Sequence, residues 1–217
     1  MQKLLITLTI AAIISCHNVV TLRKTMPHFT ALAVLNEEII TVDSRNYKGK
    51  YKVIMFYPLD FTCVCGTDII TFSDAIDRFR SLDTEVFGVS TDSHFSHLAW
   101  TKMDRNQDGV GRLAYPLIAD FSKDISRDYG LLVENEEDEL HAASHRGLFI
   151  IDRDDIVRHI YINDAPVGIS VDEIIRLIQA FQYTDQNGVV CPANWKPGAS
   201  TIIPDQKKKM EYFNNEF

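Results

Sequence analysis

Cysteine is scarce in this sequence, which has four in 217 residues. So few cysteines cannot build the disulfide framework of a small secreted domain. Cys16 falls in an N-terminal segment that we expect to be removed, which leaves Cys63, Cys65 and Cys191 in the globular part. Because an odd number cannot pair completely within one chain, we interpret them as reactive thiols rather than structural cross-links.

Positive charge and long apolar runs are also scarce. The chain has 22 lysines and arginines against 30 aspartates and glutamates, a formal net charge of -8. Binding of nucleic acid needs a clustered basic surface, and the one basic run, residues 207–209, is typical of a solvated face. A helix that spans a bilayer needs about 20 apolar residues, and no run reaches that length. We therefore expect no nucleic acid partner and no membrane span.

The N-terminal run of residues 4–14 carries no charge, follows a lone lysine and precedes small residues. It is too short for a bilayer but has the length of the apolar region of a secretory signal. We predict a signal peptide at residues 1–20 and a location in the secretory pathway, either secreted or in the lumen of the endoplasmic reticulum. Three alternatives stay open: a core strand, a lipoprotein signal acylated at Cys16, and a cytosolic form that starts at Met26.

From Met26 onward the sequence predicts a single α/β domain, because strand and helix patterns alternate without a linker or repeat. Residues 51–57 are mostly apolar, which is typical of a central strand covered on both faces. Further strands are predicted at 31–35, 39–42, 85–90, 115–119, 147–151 and 157–162. Helices are predicted over the stripe Ile69, Phe72, Ile76 and Phe79, over 94–103, before Gly130, and from a capping box at 170–173 to about Tyr183. We place the domain at residues 26–188 and an extended C-terminal arm at 189–217.

Cys65 lies where the central strand gives way to helical periodicity. A cysteine in the first turn of a helix faces unpaired backbone N–H groups and the positive end of the helix dipole. Both favour the thiolate, which is the nucleophilic form of cysteine. A buried, inert cysteine is the alternative that local sequence leaves open. Thr62, three residues earlier, carries a hydroxyl that could donate to the sulfur or to an attacking oxygen.

The stretch PLDFTCVC, which contains Pro58, Thr62 and Cys65, resembles the active-site signature of the peroxiredoxins. Three later stretches resemble the typical two-cysteine subgroup, and they are GLFIID, SVDEIIRLIQAFQYTD and VCPANWKPG. The resemblance runs from about Met26 to the C-terminus. It implies an α/β, thioredoxin-like fold of the peroxiredoxin type: a central mixed sheet flanked by helices, with a C-terminal arm.

The resemblance also implies a role for each matching residue. Cys65 matches the peroxidatic cysteine, whose thiolate attacks a hydroperoxide, and Cys191 matches the resolving cysteine. Thr62 matches the residue whose hydroxyl contacts thiolate and peroxide. Arg146 matches the arginine that holds the thiolate and polarises the O–O bond. Pro58 matches the proline that shields the oxidised sulfur from water.

The implied activity is the thiol-dependent reduction of hydrogen peroxide and small organic hydroperoxides, without metal or organic cofactor. The implied partners are a thioredoxin-like dithiol reductant and a second copy of the chain. The two copies form a homodimer through an intersubunit Cys65–Cys191 disulfide, with a decamer as a larger alternative. Two other functions stay open: a redox-regulated holdase or peroxide sensor, and a secreted metal-binding module.

The sequence departs from the family pattern near Cys65. The family has an aromatic residue at the position of Cys63, which we interpret as a buried small hydrophobe; a second resolving thiol, or a metal site with Cys65 and a histidine, are the alternatives. It has glutamate at the position of Asp68, a carboxylate that pairs with arginines, here Arg146 and Arg176. Because aspartate is one methylene shorter, its reach to these arginines is in question.

At Gly66 the family has a proline, which preorganises a helix start. Glycine there predicts an active-site helix that frays more readily, which favours disulfide formation over further oxidation. Two elements hold this helix in the subgroup. The sequence matches the Gly-Gly-Leu-Gly loop partly, at residues 108–111, and the Tyr-Phe helix well, at Tyr212 and Phe213. The resemblance thus implies an intermediate sensitivity to overoxidation.

Overall fold

The computed structural model describes residues 20–216, so Cys16 and nearly all of the predicted signal peptide lie outside the described residues. The strands are β1 (Thr30–Leu35), β2 (Glu38–Asp43), β3 (Tyr51–Phe56), β4 (Thr84–Ser90), β5 (Leu117–Ala119), β6 (Arg146–Ile151) and β7 (Val157–Asn163). The α-helices are α1 (Cys63–Asp74), α2 (Ile76–Ser81), α3 (His94–Lys102), α4 (Asp124–Asp128), α5 (Val171–Asn187) and α6 (Lys209–Glu216). Within residues 20–216, no helix has the length and apolarity that crossing a membrane requires.

The strands form one mixed sheet in the order β2-β1-β5-β4-β3-β6-β7. β4 pairs in parallel with β3 and β5, and the remaining pairs are antiparallel. Every residue of β3 is buried, as its apolar run predicts. Alternate side chains of a strand point to opposite faces: Val53 and Met55 join one hydrophobic cluster, and Ile54 and Phe56 join the other. The predicted fold class, a thioredoxin-like mixed sheet flanked by helices, is confirmed.

The helix predicted over residues 69–79 is divided into α1 and α2 at Ala75. Ala75 has a ψ of 6°, and its N–H contacts the carbonyls of Thr71 and Ser73. The predicted apolar stripe is nevertheless buried as a whole. An interruption of one residue leaves the spacing of three and four residues unchanged, so periodicity predicts the buried face but cannot reveal the break.

The segment before Met26 is part of the folded structure. The N–H of Arg23 donates to Val157 O at 2.9 Å, and the N–H of Val157 donates to Lys24 O at 2.9 Å. Met26 itself is buried, and its N–H donates to Asp155 O at 2.8 Å. A chain that starts at Met26 would therefore lack two backbone hydrogen bonds that hold this segment on β7.

The arm contains more regular structure than the sequence analysis predicts. α5 extends to Asn187 rather than to about Tyr183, and it ends at Gly188, which has a φ of 63° in the left-handed region that glycine adopts freely. Only half of the predicted capping box forms, because the Glu173 carboxylate pairs with an arginine instead of returning to Ser170. The arm then forms a bridge between Val190 and Ile202 and ends in α6.

Candidate active site

Cys65 lies in the first turn of α1, directly after β3 and its connecting loop. Thr62 is the N-cap residue and has extended backbone angles, φ -116° and ψ 148°. The Cys65 side chain is only 2% exposed, and it borders a cavity of about 640 Å³. The predicted position of this cysteine at a helix N-terminus is therefore observed, and the thiol faces a space that can admit a ligand.

Arg146 stands over the Cys65 sulfur. Its Nη2 donates to Cys65 Sγ at 3.5 Å and to the carbonyl of Ala165 at 2.9 Å, and its Nη1 pairs with the Asp68 carboxylate. The side chain is 1% exposed. The antiparallel pairing of Phe56 with Gly147 brings the start of β6 beside the end of β3. The sheet register thus places this guanidinium at the sulfur.

Asp68 lies one turn beyond Cys65 on the same face of α1, and it reaches Arg146 despite its short side chain. Its other oxygen, Oδ1, accepts the N–H of Ile169 at 2.9 Å. Burial raises the pKa of Asp68, and the Ile169 N–H and the Arg146 guanidinium oppose this shift. A Cβ at Gly168 would lie 2.8 Å from Oδ1. Glycine therefore lets the backbone approach the aspartate closely, a compensation that the sequence analysis missed.

Arg176 does not contact Asp68, contrary to the pairing that the sequence analysis expects. It lies on α5, binds Glu173 with contacts of 2.6 and 2.7 Å, and donates to Trp195 O at 3.0 Å. Trp195 is 2% exposed. Because its contacts are with Glu173 on α5 and with Trp195 on the arm, Arg176 anchors the arm rather than the active-site helix.

Cys191 is the third thiol and lies on the arm. Its Sγ is 3.8 Å from the carbonyl oxygen of Ala180 on α5, and the residue is half-buried. Burial raises the pKa of Cys191, and the charge of Arg176 opposes this shift. The observed contacts of Cys191 are thus with α5 of its own chain and not with Cys65.

Pro58 and Thr62 line the cavity with Cys65 and Arg146. Pro58 is buried, whereas the Thr62 hydroxyl donates to Leu59 O at 2.8 Å and not to the sulfur. Four of the predicted residues are therefore brought together at one cavity. The Thr62 hydroxyl must rotate away from Leu59 before it can donate to a bound molecule.

A buried polar network holds the loop that carries Pro58 and Thr62, and the sequence analysis did not identify it. His97 is fully buried, and its Nδ1 lies 2.8 Å from Asp60 Oδ2. The other Asp60 oxygen accepts the hydroxyl of Tyr57 at 2.9 Å. The position of Asp60 inside the matched stretch was the available signal, but its partner His97 is distant in sequence.

Family models match both parts of the chain. The AhpC/TSA family model matches residues 22–160, and the model described as the C-terminal domain of 1-Cys peroxiredoxin matches residues 180–215. The chain belongs to the peroxiredoxin family. Peroxiredoxins are peroxidases, so the protein is an oxidoreductase that uses a thiol.

Individual relatives agree with this assignment. Peroxiredoxin-4 from Bos taurus is 53% identical over 191 residues, which cover 88% of this chain and 68% of the relative. Peroxiredoxin-1 from Gallus gallus is 50% identical over 194 residues, which cover 89% of this chain and 95% of the relative. The crystal structure of reduced Plasmodium vivax 2-Cys peroxiredoxin superposes with a TM-score of 0.84 at 37% identity, and the match covers 89% of this chain and 98% of that one.

In this peroxiredoxin Cys63 is exposed, so its interpretation as a buried hydrophobe is wrong. Successive residues of a helix are rotated by about 100°, so residues two apart point in nearly opposite directions. With Cys65 buried, Cys63 is therefore exposed, and it also lines the cavity. A direct bond between the two sulfurs would require the first turn of α1 to move. Among the residues that the structure describes, no group of three or more potential ligands is arranged to hold a metal ion.

Gly66 is the fourth residue of α1 and not the first helical position. Its N–H makes the first hydrogen bond of the helix, to Thr62 O at 3.1 Å, a bond that a proline could not make. A Cβ at Gly66 would meet only Trp100, at an ordinary 3.6 Å. The position therefore tolerates a side chain, and the glycine weakens the first turn only through its backbone freedom.

We expect Gly66→Ala to raise the free energy of unfolding in urea by about 0.5–1 kcal/mol, because alanine loses less backbone entropy on folding. A firmer first turn should also slow the exposure of Cys65 and increase its conversion to sulfinic acid at excess peroxide, measured by mass spectrometry. The control is Gly188→Ala, which should destabilise the protein because Gly188 has a φ of +63°. A lower unfolding midpoint for Gly66→Ala would contradict the prediction.

Proposed function

We propose that the protein is a typical two-cysteine peroxidase that reduces hydrogen peroxide and small organic hydroperoxides. The observation that carries the proposal is the 3.5 Å contact between Arg146 Nη2 and Cys65 Sγ at the cavity. An arginine held by a carboxylate and a carbonyl keeps its charge and its direction, so it stabilises the thiolate and presents N–H donors to a bound peroxide.

In the proposed first step the Cys65 thiolate attacks the terminal oxygen of the hydroperoxide. The O–O bond breaks, and the alkoxide or hydroxide takes up a proton and leaves as alcohol or water. The sulfur is oxidised by two electrons and keeps the hydroxyl as a sulfenic acid. Arg146 stabilises the charge that develops on the oxygens, and buried Pro58 limits the access of water to the oxidised sulfur.

In the proposed second step Cys191 of the partner subunit condenses with the sulfenic acid, which forms a disulfide and releases water. Because Cys65 is 2% exposed, the first turn of α1 must unwind before another thiol reaches it. A thioredoxin-like dithiol protein then reduces the disulfide by exchange. The active unit in this proposal is a homodimer, which can assemble further into a decamer.

We expect brief peroxide exposure to convert the wild type into disulfide-linked dimers on non-reducing gels, and Cys191→Ser to form none. In the variant, Cys65 should remain as a sulfenic acid that dimedone labels, detected by mass spectrometry. The matched control is Cys63→Ser, which should dimerise like the wild type because it leaves Cys65 and Cys191 unchanged. Full-yield dimers from Cys191→Ser would show that another thiol resolves Cys65.

The same mass spectra report the mature N-terminus. We propose a location in the secretory pathway, with cleavage near residue 20, and a cytosolic form that starts at Met26 is the alternative. The backbone hydrogen bonds of Arg23 and Lys24 with Val157 support a mature chain that keeps this segment. A protein isolated from cells that begins at Met26 would contradict cleavage near residue 20 and favour the cytosolic form.

A further inference from the structure

The cavity beside Cys65 is much larger than hydrogen peroxide requires. A water molecule occupies about 30 Å³ in the liquid, and the cavity measures about 640 Å³, which lies in the range of small-molecule sites. Part of its wall is apolar and consists of Pro58, Val64, Leu140, Ala165 and Pro166. The cavity can therefore take the organic part of an alkyl hydroperoxide as well as the peroxide group.

The rest of the wall carries three carboxylates, Asp138, Glu139 and Asp164, which we call the acidic rim. Asp138 Oδ1 accepts the N–H of Leu140 at 2.8 Å, and Asp164 Oδ1 accepts the N–H of Ala165 at 2.8 Å. Leu140 and Ala165 themselves line the cavity, so these carboxylates are held against its wall.

Positive charge at the cavity does not balance the acidic rim. The basic residues that line the cavity are Arg146 and His145, and Asp68 pairs with Arg146 from inside the protein. Ala165 links the two parts of the site, since its carbonyl accepts Arg146 Nη2 while its N–H binds Asp164. A carboxylate of the rim therefore belongs to the residue next to the one whose carbonyl holds the guanidinium.

We propose that the acidic rim makes this peroxidase selective for neutral hydroperoxides and disfavours those that carry a carboxylate. The proposal rests on the proposed function and names the substrate class of the same site. An anionic substrate must bring its charge past three carboxylates before its O–O group reaches Cys65. Charges that line a cleft change association rates by factors of about 10 to 1,000, and salt weakens the effect.

The test compares two cumene hydroperoxides that differ only in a para substituent, one a carboxylate and one a carboxamide. In the wild type at low salt we expect the amide to oxidise Cys65 roughly tenfold faster, with a ratio that falls as salt increases. In the triple variant Asp138→Asn/Glu139→Gln/Asp164→Asn the ratio should approach one. The control is Glu134→Gln/Glu136→Gln/Glu137→Gln, which removes as many charges from the same segment outside the cavity wall and should keep the wild-type ratio.

A second readout does not depend on peroxidase activity. The Cys65 thiolate displaces iodide from neutral iodoacetamide or from anionic iodoacetate, and peptide mass spectrometry measures both rates. The alkylation ratio is the rate with iodoacetamide divided by the rate with iodoacetate, after each rate is divided by the rate of glutathione with the same reagent. We expect this ratio to exceed one in the wild type and to approach one in the triple variant. The single variant Glu139→Gln, at an exposed position, should give an intermediate ratio and serves if the triple variant does not fold.

If the protein consumes hydrogen peroxide, two outcomes would overturn the proposal of a selective acidic rim. One is equal rates for the two hydroperoxides in the wild type, and the other is a ratio of these rates that the triple variant leaves unchanged. Absence of hydrogen peroxide turnover in the wild type would instead overturn the proposed function. In that case the alkylation ratio alone decides whether the acidic rim repels anions from Cys65.

Discussion

Cys65→Ser is expected to reduce peroxide consumption to background, a loss of more than about 10³-fold. A serine hydroxyl is not ionised near neutral pH, whereas a thiolate is a strong nucleophile. The Arg146 guanidinium stabilises a negatively charged sulfur much more strongly than it stabilises a neutral hydroxyl. The measurement is hydrogen peroxide consumption with a dithiol reductant in excess.

The control for this variant is Cys63→Ser, which makes the same replacement of sulfur by oxygen two residues earlier in the chain. Cys63 is exposed and has no contact with Arg146 that the structure records. We expect its activity to stay within about twofold of the wild type, because the nucleophile and its donors are unchanged. Loss of activity in Cys63→Ser and retention in Cys65→Ser would reverse the assignment of the nucleophile.

Arg146→Gln is expected to lower the rate constant of Cys65 oxidation by about 10²–10³, the usual effect of removing one donor from a developing oxyanion. The change removes the 3.5 Å contact with the sulfur and leaves the Asp68 carboxylate buried without its cation. Breaking a buried pair from one side costs about 3–5 kcal/mol. Stopped-flow oxidation and urea unfolding measure the two effects separately.

The double variant Arg146→Gln/Asp68→Asn separates catalysis from stability. Removal of the second charge should recover much of the lost free energy of unfolding, because no unpaired ion remains buried. The rate of Cys65 oxidation should stay low, since no guanidinium faces the sulfur. If the double variant oxidises Cys65 as fast as the wild type, Arg146 only supports the fold, and the role proposed for it is wrong.

Local sequence predicted the elements that depend on local chemistry. The apolar run of β3 and the spacing of Ile69 and Phe72 are properties of neighbouring residues, so the strand, the helix and the place of Cys65 between them follow from sequence alone. The break at Ala75 escaped because it does not disturb that spacing. The extension of α5 to Asn187 escaped because its last turn is polar and exposed.

The environment of Cys65 depended on residues far away along the chain. Arg146 is 81 positions from Cys65, and only the pairing of β3 with β6 brings it to the sulfur. The shorter Asp68 finds the Ile169 N–H, 101 positions away, because Gly168 has no side chain. No spacing rule predicts such contacts, since they depend on how the sheet is ordered.

By itself, then, the sequence determined the α/β fold, the family and the position of Cys65 at the start of α1, because each follows from local sequence patterns. Only the tertiary structure decided that Asp68 pairs with Arg146 and that Arg176 instead holds the arm. It also decided that Cys63 faces outward. The physical reason is that a side chain's partners and exposure are set by the elements packed around it, and their arrangement is a property of the whole chain.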